Sequence, residues 1–211
     1  AHHTYILPTV PWIRYFAYFI SMTEWIIFFD IIFTWSKKLK QESKLENLFT
    51  YRFLIAGEIW VFLNLFLALL MSIPVINYYT HGTHITVAHS MGTTIGIDTT
   101  ILLASVCFIV SKLRNDVDAL KSVIFKYGFY IFNISLLVFW GTLIFIGIYK
   151  AQLMVDPKTI FSEVHMALSP FFIVLIGSGI VLFIGLLMLI YPLFSNILPF
   201  CFQTSSVTDK N

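Results

Sequence analysis

Much of the chain's chemistry is concentrated in one run, Asn77-Tyr78-Tyr79-Thr80-His81-Gly82-Thr83-His84-Ile85-Thr86-Val87-Ala88-His89-Ser90-Met91, which holds three of the six histidines. Imidazole and thioether both ligate haem iron, and methionine raises the potential of the iron it binds. His89 and Met91 stand two residues apart. At about 100° per helical residue, that spacing points two side chains to nearly opposite faces. One helix carrying them could therefore stand between two haems and ligate one on each side. The competing reading is that His89 hydrogen-bonds a neighbouring helix and Met91 fills space. A second candidate is the adjacent pair His2-His3. Neutral imidazole is the commonest metal ligand, and two neighbours in a non-helical loop can reach one metal. An affinity-tag stub or an arbitrary chain start would give the same pair.

Acids in apolar surroundings form the third group. Glu24 lies ~14 residues, or roughly 20 Å at 1.5 Å per residue, into the first apolar stretch. A carboxylate at that depth must be protonated, paired or close to a metal. Asp30, Glu58 and Asp98 are further acids within apolar segments. Asp98 follows Met91 by seven and is expected on the same helix face. Asp30 and Glu58, closer to the basic loops, fit either proton delivery or pairing with Arg or Lys. His165 reads as a satisfied interfacial histidine. Each such group is a functional hypothesis by default, because polar side chains are costly in a membrane.

The elements that must position these residues are long apolar helices. The chain has 211 residues, of which 58% are hydrophobic and 11% charged, with a mean hydropathy of +0.86. Soluble domains carry roughly 25% charged residues, so most side chains here face lipid or other helices. A membrane helix needs about 20 mostly apolar residues. Five stretches qualify, from about Pro11 to Trp35, Phe53 to Val75, Ile85 to Val110, Val123 to Tyr149 and Val164 to Leu193. The expected fold is therefore all-α and integral to the membrane, one transmembrane domain over residues 1–199 followed by a loose polar tail over 200–211. Cys107 and Cys201 lie far apart in sequence and suggest neither a disulfide framework nor a zinc site. A net charge of +2 gives no argument for nucleic acid. The opening residues lack the positive region of a cleavable signal peptide.

Lys37, Lys38, Lys40, Lys44 and Arg52 follow the first span, and Lys112, Arg114, Lys121 and Lys126 follow the third. The positive-inside rule makes these two loops cytoplasmic. The opposite side carries only Arg14, Lys150 and Lys158, and the connection from Pro74 to Ile85, free of Lys and Arg, faces outward.

The run "NYYTHGTHITVAHSMG" resembles the signature of the bacterial nitric oxide reductase catalytic subunit, in the haem-copper oxidase superfamily, whose pattern is N-Y-Y-T-H-G-T followed by T-x-A-H-G-H. The segments "HHTYILPTVPW" and "SMTEWIIFF" resemble that family's histidine pair, short loop and glutamate-bearing helix, in the family order. The resemblance covers essentially the whole chain and is strongest over residues 1–29 and 74–98. It implies that the five spans are helices eight to twelve of a twelve-helix core. It further implies that His2 and His3 ligate a non-haem iron and that His89 is the proximal ligand of a high-spin haem b, opposite that iron. Glu24 would be the glutamate near the binuclear centre, placed to affect proton delivery. Thr80, His81, Gly82 and Thr83 would lie over haem propionates.

Two departures qualify the match. The family's second haem histidine is Met91 here, implying either His/Met ligation of a low-spin haem b or loss of that haem. The third metal histidine, the metal-ligating glutamate and the other low-spin ligand belong to earlier helices, expected on a partner chain. The implied whole is a respiratory nitric oxide reductase in a bacterial inner membrane, fed by a cytochrome c subunit or quinol. An oxygen-reducing relative, with copper in place of the non-haem iron, shares the histidine pair and haem histidine. Carboxylates suit iron better than copper, so Glu24 and the HGT loop favour the reductase. A non-catalytic structural subunit or a transporter is the remaining alternative; transporters often show internal repeats and broken helices, and none is evident in the sequence.

Overall fold

The computed structural model describes residues 10–42, 48–113, 122–155 and 159–208, which are helical almost throughout, with no strand among them. In lipid every backbone N–H and C=O must be satisfied within the chain, and a helix does this locally. Helix α1 is Pro11–Glu42, α2 Leu48–Ser72, α3 Pro74–Thr80, α4 His84–Met91, α5 Thr99–Leu113, α6 Val123–Leu153 and α7 Phe161–Thr208. Helices α4 and α5 are joined by a π-helical stretch, Gly92–Asp98, so the third span is one continuous helix of changing pitch. Among the described residues, five segments are long and apolar enough to cross a membrane: Pro11–Lys38, Phe49–Ser72, His84–Lys112, Val123–Leu153 and Phe161–Ser195. These are the five expected spans, within a few residues at each end. The chain is an all-α, multi-pass membrane protein.

Three details differ from the sequence reading. The connection from Pro74 to Ile85 is partly helical: Pro74 opens α3 with Ile73 extended before it, and proline at the first helical position forfeits an N–H that had no helical partner anyway. The π stretch also changes the register beyond Met91. The Thr99 N–H bonds Thr94 O, five residues back. Such a turn takes more residues than an α turn, so a seven-residue step no longer returns to the same face. Met91 packs against buried side chains while Asp98 is exposed. Finally, α7 continues as helix to Thr208 into the segment expected as a loose tail. No glycine cap follows the span to end it.

Packing is closest where one partner is small. Helices α6 and α7 form the most extensive pair. There Gly185 lets the backbones meet; a Cβ at that position would lie 2.7 Å from the Phe132 nitrogen. Gly147 of α6 does the same for the start of α4, where a Cβ would lie 2.6 Å from the Ile85 nitrogen. Against α2, the third span presents Gly92, Gly96 and Thr100, four residues apart, to Asn64, Trp60 and Gly57. Small residues at that spacing let membrane helices approach closely. The main core joins Phe53, Trp60, Leu103, Cys107, Phe125, Phe132, Leu136 and Leu189. Much of α1 and α7 turns large apolar side chains outward, among them Trp12, Phe19, Ile27, Phe161 and Ile173. That surface suits lipid or other membrane helices.

Candidate functional site

The Thr80-His81-Gly82-Thr83 segment is a tight, internally bonded turn between α3 and α4. Asn77, buried, anchors the start of the turn by donating from Nδ2 to Met71 O at 2.8 Å. Thr83 caps α4: its hydroxyl accepts from the Ile85 N–H at 3.2 Å and donates to Thr80 O at 2.6 Å. Gly82 has φ +72°, a left-handed conformation that glycine reaches without steric penalty. The Lys150 ammonium, from the end of α6, donates to Gly82 O at 3.5 Å. Thr80 is buried and its hydroxyl donates to Ile76 O at 2.9 Å, so it is turned onto its own helix. His81 is half-buried at the C-terminal end of α3. The His84 ring lies 5.7 Å from that of Phe172, and its Nδ1 is buried with no hydrogen-bond partner among the described residues.

One turn further along, His89 enters a small polar network inside the bundle. Its Nδ1 lies 3.2 Å from Asn64 Oδ1, on α2. Asn64 is only 2% exposed, and its Nδ2 donates to Thr93 Oγ1 at 2.7 Å. The Thr93 hydroxyl in turn donates to His89 O at 3.1 Å. The hydroxyl thus spends its proton on the backbone and accepts the amide N–H. That orients the amide with its carbonyl oxygen toward His89, an acceptor for a ring that carries Nδ1–H. In the neutral form of such a ring the lone pair is on Nε2, the nitrogen suited to a metal. Gly92 makes room for this arrangement; a Cβ there would lie 2.5 Å from Asn64 Oδ1.

Aromatic residues extend the network. Trp60 and Trp140 meet edge to face with ring centroids 5.9 Å apart. The Trp60 Nε1–H donates to Asn133 Oδ1 at 3.4 Å, while Trp140 Nε1 is buried with no partner among the described residues. Met91 is half-buried and packs against the cluster of Leu67, Met71, Ile85, Ala88 and Leu143. A groove of 460 Å³ between α2 and α6 is lined by Arg52, Trp60, Tyr130 and Asn133 and does not include His89.

The expected residues are thus only partly brought together. His89 gains partners on α2 and on its own helix, Thr80 and His81 sit at the neighbouring turn, and Met91 lies in the adjoining apolar cluster. Glu24 is on α1, within the span Pro11–Lys38. His2 and His3 lie outside the described residues. Among those described, no three His, Cys, Asp or Glu side chains gather as a metal site. Asp30 is exposed and Glu58 half-buried. His165 is exposed, with its ring stacked on Phe161 at 6.3 Å and 15°. Asn64, Thr93, Trp140 and Asn133 escaped the sequence reading. Asparagines inside apolar spans are the signal that could have found two of them.

Comparison with protein families decides the broad assignment: the family described as cytochrome c and quinol oxidase polypeptide I matches residues 1–181. The chain belongs to that family. It is accordingly a member of the haem-copper oxidase superfamily, oxidoreductases whose electron chemistry runs on haem. Among curated proteins no match was found. The family assignment places an oxidase-type chain in the membrane and makes a haem the group to test against His89. The donor set fits: a half-buried imidazole beside an apolar cluster, held through Nδ1 by Asn64, whose Nε2 could serve as the ligating nitrogen. Metal-bound histidines are typically held in this way.

Proposed function

We propose that this oxidase-family chain forms part of a respiratory nitric oxide reductase of a bacterial inner membrane, which reduces two molecules of nitric oxide to nitrous oxide and water. The observation that carries this reading is the ordered run from Asn77 to Gly92, which resembles the reductase signature and contains His89, a histidine with a buried hydrogen-bonded partner in Asn64. In this reading His89 Nε2 holds a high-spin haem b, Met91 is a ligand of a low-spin haem b, and His2 and His3 hold a non-haem iron. These groups supply electrons and Lewis acidity when bound.

The chain's own residues do the rest. The cluster of Leu67, Met71, Ile85, Ala88 and Leu143, against which Met91 packs, makes the surroundings of the ligand-bearing helix apolar. Glu24 holds and passes a proton, a role open to a carboxylate within a membrane span. The turn from Thr80 to Thr83, capped and tied to Lys150, closes the outer end of the α4 helix above His89. The remaining ligands, and the cytochrome c or quinol that donates electrons, belong to segments or chains beyond this sequence.

The family's own description favours one alternative, an oxygen-reducing oxidase. Metal and haem analysis of the intact purified complex, with its reduced-minus-oxidised spectrum, separates the two. Two b-type haems with one non-haem iron and no copper are expected. Stoichiometric copper would move the assignment to an oxygen reductase, and absence of haem would leave a non-catalytic subunit.

A further inference from the structure

We infer that Asn64 is a positioning residue that sets the tautomer, the ring orientation and the donor strength of His89; this rests on His89 being the haem ligand. Three observations point there. Asn64 is almost completely buried, yet its amide is used on both sides, toward His89 Nδ1 at 3.2 Å and toward Thr93 Oγ1 at 2.7 Å. A buried asparagine in an apolar helix is expensive unless its hydrogen bonds are made, so the network accounts for its presence. Thr93 binds back to His89 O at 3.1 Å, closing a ring of contacts that begins and ends on the same histidine. The third span also leaves space for the amide: at Gly92 a Cβ would fall 2.5 Å from Oδ1 and 2.8 Å from Cγ of Asn64. The glycine and the asparagine therefore fit as a pair, and the wide turn that follows starts at that glycine.

The chemical consequence follows from the direction of the bond. A carbonyl oxygen accepting from Nδ1–H pulls that proton away from the ring and raises the basicity of Nε2. A more basic imidazole bonds iron more strongly and favours the oxidised metal, so it lowers the reduction potential. An amide is a weaker acceptor than a carboxylate, which makes Asn64 a moderate setting. It holds the ring in one orientation without driving the imidazole toward its anion.

The test uses the intact complex carrying Asn64→Leu, with Thr93→Val as a milder variant that keeps volume and removes only the hydroxyl anchor of the amide. His89→Gly serves as the reference for the ligand itself. The readouts are the iron–histidine stretching band of the reduced high-spin haem and that haem's reduction potential. Asn64→Leu is expected to shift the band to lower frequency and the potential upward, with turnover lowered about tenfold or more. Thr93→Val is expected to move band and potential in the same directions by less. An unchanged band and potential in both variants, with the band lost in His89→Gly, would overturn the role of Asn64 and leave His89 as the ligand. A band that persists in His89→Gly would remove the ligand reading and the inference with it. Should Asn64→Leu fail to assemble, Thr93→Val decides by the same readouts.

Discussion

At the scale of single residues, the third span carries two kinds of ligand chemistry within three positions, and their surroundings differ. His89 has a directional partner in Asn64, whereas Met91 sits among apolar side chains. A Met91→Ala variant of the complex tests whether the thioether is a ligand. Loss of the low-spin haem spectrum alone, with the high-spin signal retained, is expected; an unchanged spectrum with a lower melting temperature would make Met91 a packing residue. For Glu24, replacement by glutamine removes the ionisable proton and keeps the shape. Turnover is expected to fall about a hundredfold or more, the usual range for a lost proton-transfer group, while both haem spectra stay as they are. Equal turnover in Glu24→Gln would place the proton path elsewhere.

Among the elements, the contact between α2 and the third span matters most to the site, because it brings Asn64 to His89. Its geometry depends on small residues. A Cβ at Gly96 would lie 2.8 Å from Trp60 ring carbon Cδ2. Gly96→Val is therefore expected to destabilise the chain by about 1–3 kcal/mol through overpacking, measurable as an earlier thermal transition in detergent. Gly82→Ala offers a contrast. Nothing lies within 4 Å of a Cβ there, but φ is +72°, so the expected loss of about 1–2 kcal/mol is conformational. Gly141→Ala, also with open space around it but inside helix α6, should leave the transition where it is or raise it slightly. If Gly82→Ala and Gly141→Ala behaved alike, the turn would not be the constrained element described.

For the molecule as a whole, orientation across the bilayer is the property to test. Basic side chains gather at the ends where α1 and α5 finish and α2 begins. There they lie over aromatic rings: Lys37 at 4.1 Å from Phe33, Arg52 at 5.1 Å from Phe49 and Lys112 at 5.8 Å from Phe108. Long cationic side chains at helix ends reach for the interface in this way. With those ends cytoplasmic, a cysteine at the exposed Gln152, in the last turn of α6, should react with a membrane-impermeant thiol reagent added outside intact cells. One at Ser122 should react only after permeabilisation. The reverse pattern would invert the assignment of sides.

The amino-acid sequence by itself determined the class and span boundaries of this protein, because lipid leaves an apolar stretch of about 20 residues no alternative to a helix. It also singled out His89, since an ionisable ring within such a stretch is visible without coordinates. Only the tertiary structure decided the rest. The Asn64–His89 pair joins residues 25 apart on different helices, and helical periodicity carries no information about which helix face meets which. The expectation that Asp98 would share a face with Met91 failed for a related reason. The wide turn over Gly92–Asp98 depends on backbone hydrogen bonds that shift by one residue, a local choice that packing against Trp60 and Asn64 accompanies and that the spacing of side chains along the chain does not encode.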